Sequence, residues 1–68
     1  MTLHQWISAQ CEAYGVSRRE IMVKLQEASG VSITTLGSLD RGAKLTRVDK
    51  AQALSKATNY EVTTDDLT

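Results

Sequence analysis

Apolar residues recur along the chain at intervals of three and four. Leu3, Trp6, Ile7, Cys11 and Tyr14 form the first set, and Ile21, Met22, Leu25 and Ala28 the second. Val31, Leu36 and Leu39 make a third, and Val48, Ala51, Leu54, Ala57 and Thr58 a fourth. That spacing lines one face of a 3.6-residue repeat, and nowhere does the strict alternation of a half-buried strand replace it. The stripes predict helices over about 3–14, 18–28, 32–41 and 47–58, with a last turn near 64–67. Polar residues between the stripes punctuate them in the same places. Thr2 with Gln5 and Ser17 with Glu20 have the separation at which an N-cap hydroxyl and a side chain three residues on satisfy each other's free amides. Thr46 with Asp49 and Thr63 with Asp66 are weaker versions. Gly15, Gly30, Gly42 and Asn59 fall where helices should stop, because these residue types enter the left-handed conformation most cheaply.

The expected fold class is therefore all-α, a small four- to five-helix domain spanning 1–68. A chain of 68 residues leaves no room for a second domain, and it hides too little surface to wall off an active site. Hydrophobic residues at 41% and charged residues at 24% are the balance of a globular protein. With no Phe, the large side chains Trp6, Tyr14, Cys11 and Met22 are assigned to the core. One cysteine forms no internal disulfide, and one cysteine with one histidine cannot complete a zinc site, so no metal or cofactor is expected. No apolar run approaches the roughly 20 residues needed to cross a bilayer, and the first residues lack the basic and apolar regions of a signal peptide. The expectation is a cytoplasmic protein without a membrane partner.

No catalytic constellation emerges. Asp65 and Asp66 suit the first turn of a helix, where the macrodipole favours acids, and His4 and Cys11 lie seven apart with no orienting acid near them. An enzyme is not expected. Charge tells more through its distribution than through its net value of zero. All eight basic residues lie between positions 18 and 56 with only four acids among them, so the middle carries about +4 and the flanks about −4.

The middle also holds the most informative link. Only Ser29-Gly30-Val31 separates the second and third predicted helices, which is helix-turn-helix spacing. Gly30 permits the turn, Val31 plugs the core, and Ser32 caps the third helix. With Leu36 and Leu39 inward, Ile33, Thr34, Thr35, Ser38 and Arg41 lie outward, a row of short side chains bounded by a cation. Small residues let a helix sit deep in a DNA major groove, where hydroxyls pair with bases or phosphates and an aliphatic group touches a thymine methyl. Ile33 equally suits packing on its helical neighbours.

The stretch Gly30-Val31-Ser32, the apolar Leu36 and Leu39, and the ending Asp40-Arg41-Gly42 resemble the Cro/repressor-like helix-turn-helix proteins of phages and bacterial regulators, the lambda-repressor-like or XRE fold. The likeness covers most of the chain, since Ala51, Leu54 to Thr58, and Val62-Thr63 through Leu67 look like that family's fourth helix and closing turn. Thr2-Leu3 with Trp6 is more like its small Cro and YdaS-type antitoxin and regulator branch. The resemblance implies a recognition helix near 32–41 with a helix-turn-helix over about 18–41. It implies groove contacts by Ser32, Ile33, Thr34, Thr35 and Ser38, and phosphate contacts by Arg18, Arg19, Arg41, Lys44 and Arg47. Where the family usually presents Gln at the start of helix two, this chain offers Arg18 and Arg19 after Ser17, or Met22 by ungapped alignment. The arginines are the better phosphate clamp, because a helix N-terminus also supplies free amides.

The expected function is sequence-specific DNA binding by a repressor of Cro type. A homodimer is implied, formed either in solution or only on DNA, since one short helix makes too few base contacts to select a palindromic operator. Leu45, Tyr60, Val62 and Leu67 are the candidate dimer residues, with core packing equally open to Val62 and Leu67. The alternative is an antitoxin or inhibitor that binds a protein partner on the same scaffold, which net neutrality favours.

Overall fold

The capping signals are where the helices begin. In the computed structural model, which describes residues 1–68, the Thr2 hydroxyl accepts from the Gln5 amide at 3.2 Å while the Gln5 side chain accepts from the Thr2 amide at 3.0 Å. That box opens α1 (Leu3–Tyr14), which closes on left-handed Gly15. Ser17 caps α2 (Arg18–Ser29) through the Glu20 amide, and Gly30, at φ 76°, ends it. Ser32 then caps α3 (Ile33–Asp40), followed by α4 (Val48–Ala57) and α5 (Thr64–Leu67). No strand is present, and no helix is long and apolar enough to cross a membrane.

Three terminal signals act differently from the expectation. Thr46 does not cap α4. Arg47 occupies that position without a side-chain cap, because Asp49, which would complete a box with Thr46, receives the Arg47 guanidinium instead at 3.1 and 3.2 Å. Thr63 and Asp66, expected as a weak pair, form a full reciprocal box. Gly42 lies beyond Arg41, the residue that ends α3. At the end of α4 the Asn59 amide donates to the Lys56 carbonyl and the Tyr60 amide to the Ser55 carbonyl, the double bonding of a Schellman stop. Both Asn59 and Tyr60 are left-handed there, with φ of 57° and 64°.

One apolar core draws on every helix: Leu3 and Ile7 of α1, Ile21 and Leu25 of α2, Leu36 and Leu39 of α3, Ala51 and Leu54 of α4, and Leu67 of α5, joined by Val31 and Val62. Burying each Leu, Ile or Val contributes about 1.5–3 kcal/mol relative to solvent exposure. α2 packs against α1, α3 and α4, so it is the element that sets the direction of α3. Two polar residues, Ser55 and Thr58, are buried at the core, and the Thr58 hydroxyl is bonded on both sides. Thr58 donates to the Ser55 carbonyl at 2.8 Å and accepts from the Val62 amide at 3.2 Å, and it thereby directs the chain after α4 back into the interior.

Several expected core positions lie outside this cluster. Trp6, Cys11 and Met22 are half-buried and pack against it, but Tyr14 is 70% exposed and Ala28 is exposed as well. The reason is an open groove between α1, α2 and the end of α4, lined by Trp6, Tyr14, Ala28 and Ala57, into which the ends of both apolar stripes run. Val48, in the first turn of α4, is 60% exposed, since no element overlies that end of the stripe. Val62 and Leu67 are fully inside, which leaves Tyr60 exposed and Leu45 half-buried among the four candidate dimer residues.

Candidate nucleic-acid interface

Local bonding holds α3 at a defined angle to α2. The Ser29 hydroxyl donates to the Leu25 carbonyl at 2.6 Å and accepts from the Val31 amide at 3.2 Å, while Val31 is buried beneath the turn. The Gln26 side chain reaches across and accepts from the Ile33 amide at 2.7 Å, which satisfies one of the free donors at the start of α3. Ser32 supplies the cap to the Thr35 amide, and its hydroxyl also bonds that of Thr35 at 2.9 Å.

With Leu36 and Leu39 inward, the opposite face of α3 consists of Thr34, Gly37, Ser38 and the C-cap residue Arg41. The Ser38 hydroxyl donates to the Thr34 carbonyl at 3.3 Å, and the Thr34 hydroxyl makes no intramolecular bond. Gly37 has ordinary helical geometry, and a Cβ added there would meet nothing closer than an Arg41 guanidinium nitrogen at 3.9 Å. No packing requirement explains a helix-interior glycine at this position. Along one side, Arg19 and Met22 of α2 form a shallow groove with Ile33, Thr34, Gly37 and Arg41. Along the other, the start of α3 at Ser32 and Thr35 borders Arg47 and Lys50 at the start of α4. The face is thus small in side-chain volume, hydroxyl-bearing, and flanked by cations on both sides.

The expected site residues divide between this surface and the scaffold behind it. Thr34, Ser38, Arg41 and Arg19 lie on or beside the outward face, and Ile33 and Thr35 sit on its two edges. Arg18 departs from the expectation of a free phosphate clamp. Its guanidinium turns inward to both carboxylate oxygens of Asp40, to the Ser8 hydroxyl at 2.6 Å and to the His4 carbonyl at 3.3 Å. Only Arg19 of the pair remains outside, because Arg18 falls on the α2 face that meets α1 and the end of α3. The Asp40 side chain is 15% exposed. Burial acts to raise its pKa, but the Arg18 hydrogen bonds and charge, with a smaller contribution from His4, hold it below the ordinary carboxylate value of 3.8. Lys44 points its ammonium at the Asp66 carbonyl, 2.9 Å away, and Arg47 is shared with Asp49.

Three residues at this site were not singled out as functional by the sequence reading. Gln26, Gly37 and Asp40 each act through another element or through the absence of a side chain. A glutamine seven residues before Ile33 on the far side of a three-residue link is the one signal that the start of α3 has an acceptor waiting. Lys50 joins the cationic border beside Arg47. No three of the His, Cys, Asp and Glu side chains converge to hold a metal ion. Compared with family models, curated proteins and solved structures, the chain matches none of them.

Proposed function

We propose that this protein is a sequence-specific DNA-binding regulator of helix-turn-helix type, with α3 as its recognition helix. The observation that carries the reading is the outward face of α3: short hydroxyl side chains around a glycine the packing does not require, with Arg19 and Arg41 on one side and Arg47 and Lys50 on the other. A glycine in a helix interior is destabilising by about 0.5–1 kcal/mol relative to alanine, so its place on an open face fits a surface that something must approach closely. A major groove is such a partner, because it is bounded by phosphates on both edges and presents donors, acceptors and thymine methyls at its floor.

In this reading Thr34 and Ser38 meet base edges and Ile33 offers an apolar contact, while the paired cations hold the two phosphate backbones and fix the register of α3. Ser32 caps the helix through the Thr35 amide and Gln26 takes the Ile33 amide, which leaves the Thr34 amide free to meet phosphate. Arg18 is a positioning residue that ties the end of α3 to α1 and α2 through Asp40. One copy offers too few base contacts to select a site in a genome, so the functional unit is a pair on a two-fold-symmetric operator.

Selection from a random duplex library, followed by fluorescence-anisotropy titration, tests the reading. A palindromic consensus is expected, bound far above scrambled DNA, with Arg41→Glu reducing its affinity by at least about tenfold while the thermal melt is retained. Enrichment of no sequence, with Arg41→Glu behaving as wild type, would overturn DNA recognition and favour a protein partner on the same face, the reading that zero net charge supports.

A further inference from the structure

The exposed face of α4 carries a charge pattern that is its own complement. Asp49 in the first turn and Lys56 in the last are seven residues apart, about 10 Å along the axis, and they lie on the same side of the helix with Gln52 and Ala53 between them. Ala51 and Leu54 occupy the opposite, buried side, and Ser55 is buried at the edge of the exposed face. Gln52 and Ala53 stand at the midpoint between the two charges. A second α4 laid antiparallel about a two-fold axis through that midpoint brings each Asp49, whose exposed carboxylate also holds Arg47 of its own chain, opposite the partner's Lys56, and each Gln52 opposite the partner's Ala53. The same arrangement sets the two helix dipoles head to tail. Helix polarity alone accounts for an acid at the start and a base at the end of α4. It does not account for the exposed apolar groups at its two ends.

Past the C-terminal end stands Tyr60, 66% exposed, whose ring borders the same concave surface as Asp49, Gln52, Ala53 and Lys56. Its backbone is left-handed at φ 64°, a conformation sterically unfavourable for any residue with a Cβ, and its hydroxyl makes no intramolecular hydrogen bond. A glycine would meet the backbone requirement more cheaply, and an aromatic held outward at a sterically unfavourable position calls for a contact outside the chain. At the N-terminal end stands Val48, 60% exposed. An antiparallel pair carries each Tyr60 over the start of the other α4, where the partner's Val48 leaves its isopropyl group in solvent.

We propose that this face of α4 docks a second copy of the chain about a two-fold axis at Gln52 and Ala53, sealed by two Asp49–Lys56 ion pairs and two Tyr60–Val48 contacts. It names the surface for the paired state invoked above, but it is read from self-complementarity and stands without DNA. A standard interface buries about 800 Å² on each partner, roughly a fifth of the 4234 Å² surface here, and one helix face with an aromatic covers less than that. Association is therefore weak in free solution and strengthens when two copies occupy adjacent half-sites.

Sedimentation velocity without DNA, from low micromolar to near millimolar protein, reads the self-association directly. Wild type is expected to move from monomer towards dimer across that range. Lys56→Asp sets like charges against each other at both ends and weakens association by at least about tenfold, and the double swap Asp49→Lys with Lys56→Asp restores it. Tyr60→Gly removes the ring while relieving the backbone, so it loses dimer with a thermal melt no lower than that of wild type. Amide chemical-shift changes on dilution map the contact and keep the result independent of any folding effect of the swaps. A wild type monomeric throughout, variants that associate as wild type does, or dilution shifts confined to a surface other than α4 would overturn the proposal. Because no duplex is present, such a failure leaves DNA recognition by α3 standing, and a failure of duplex selection leaves this surface standing.

Discussion

Arg18 and Asp40 decide how the end of α3 is held. Between them the guanidinium and the carboxylate join α1, α2 and α3 through bonds that also take in Ser8 and His4. The Asp40 carboxyl titrates below its ordinary value in the folded state, so it contributes stability that is complete above about pH 4 and is lost as the pH falls through the folded value. Asp40→Asn should lower stability at neutral pH by about 1.5–3 kcal/mol, the usual scale for hydrogen bonds to a charged group. The loss should shrink as the solution is acidified below the ordinary carboxylate value, because wild type then forfeits the same interaction. Thermal melts of both proteins from neutral to acid pH check this: the two curves converge in acid, and parallel curves would remove Asp40 from the linkage.

α3 is a helix whose outer face is built by omission. Gly37 gives up helix propensity in a position where the fold has room for a methyl group. Gly37→Ala should raise stability by about 0.5–1 kcal/mol, from restored propensity and reduced freedom of the unfolded chain. The same methyl group would stand on the surface proposed to enter the groove, so duplex affinity should fall while the melting temperature rises. Measured together by calorimetry and anisotropy, opposite signs mark a surface used for contact, and a stabilised variant that binds as tightly as wild type would detach Gly37 from recognition. The element's start was legible in Ser32 and its inward stripe in Leu36 and Leu39. Its angle was not, because that depends on Gln26 accepting from Ile33 across the turn and on Arg18 gripping Asp40, contacts between residues with no periodic signature.

The whole molecule has zero net charge, and its field is a local one. Four cations border α3, namely Arg19, Arg41, Arg47 and Lys50. Arg47 already faces Asp49, so if the other three each neutralise one phosphate, the logarithm of affinity should fall with the logarithm of salt with a slope of about −3 per bound copy, and about twice that for a pair. Arg19→Gln should reduce the slope by about one per copy without changing the preferred sequence. Titrations over a range of salt concentrations test both, and a slope near zero would mean that these side chains meet no phosphate. Arg18→Gln should alter the slope little, since its charge already faces Asp40, and its effect should appear as lost stability instead.

Helix number, helix limits and most of the core were determined by the sequence alone, because capping hydroxyls, left-handed stops and 3.6-residue stripes act within a few neighbouring residues. Thr2, Ser17, Ser32 and Thr63 begin helices where their side chains can reach the amide three residues on. Tertiary structure decided which members of each stripe are covered and which cations are free. Tyr14 and Ala28 satisfy the inward spacing yet border an open groove, since spacing specifies a face of one helix and says nothing of where a neighbouring helix ends. Adjacent Arg18 and Arg19 are indistinguishable by composition. A rotation of about 100° between consecutive residues sends one to Asp40 and leaves the other beside α3, and that division follows from the packing of α2 against α1 and α3.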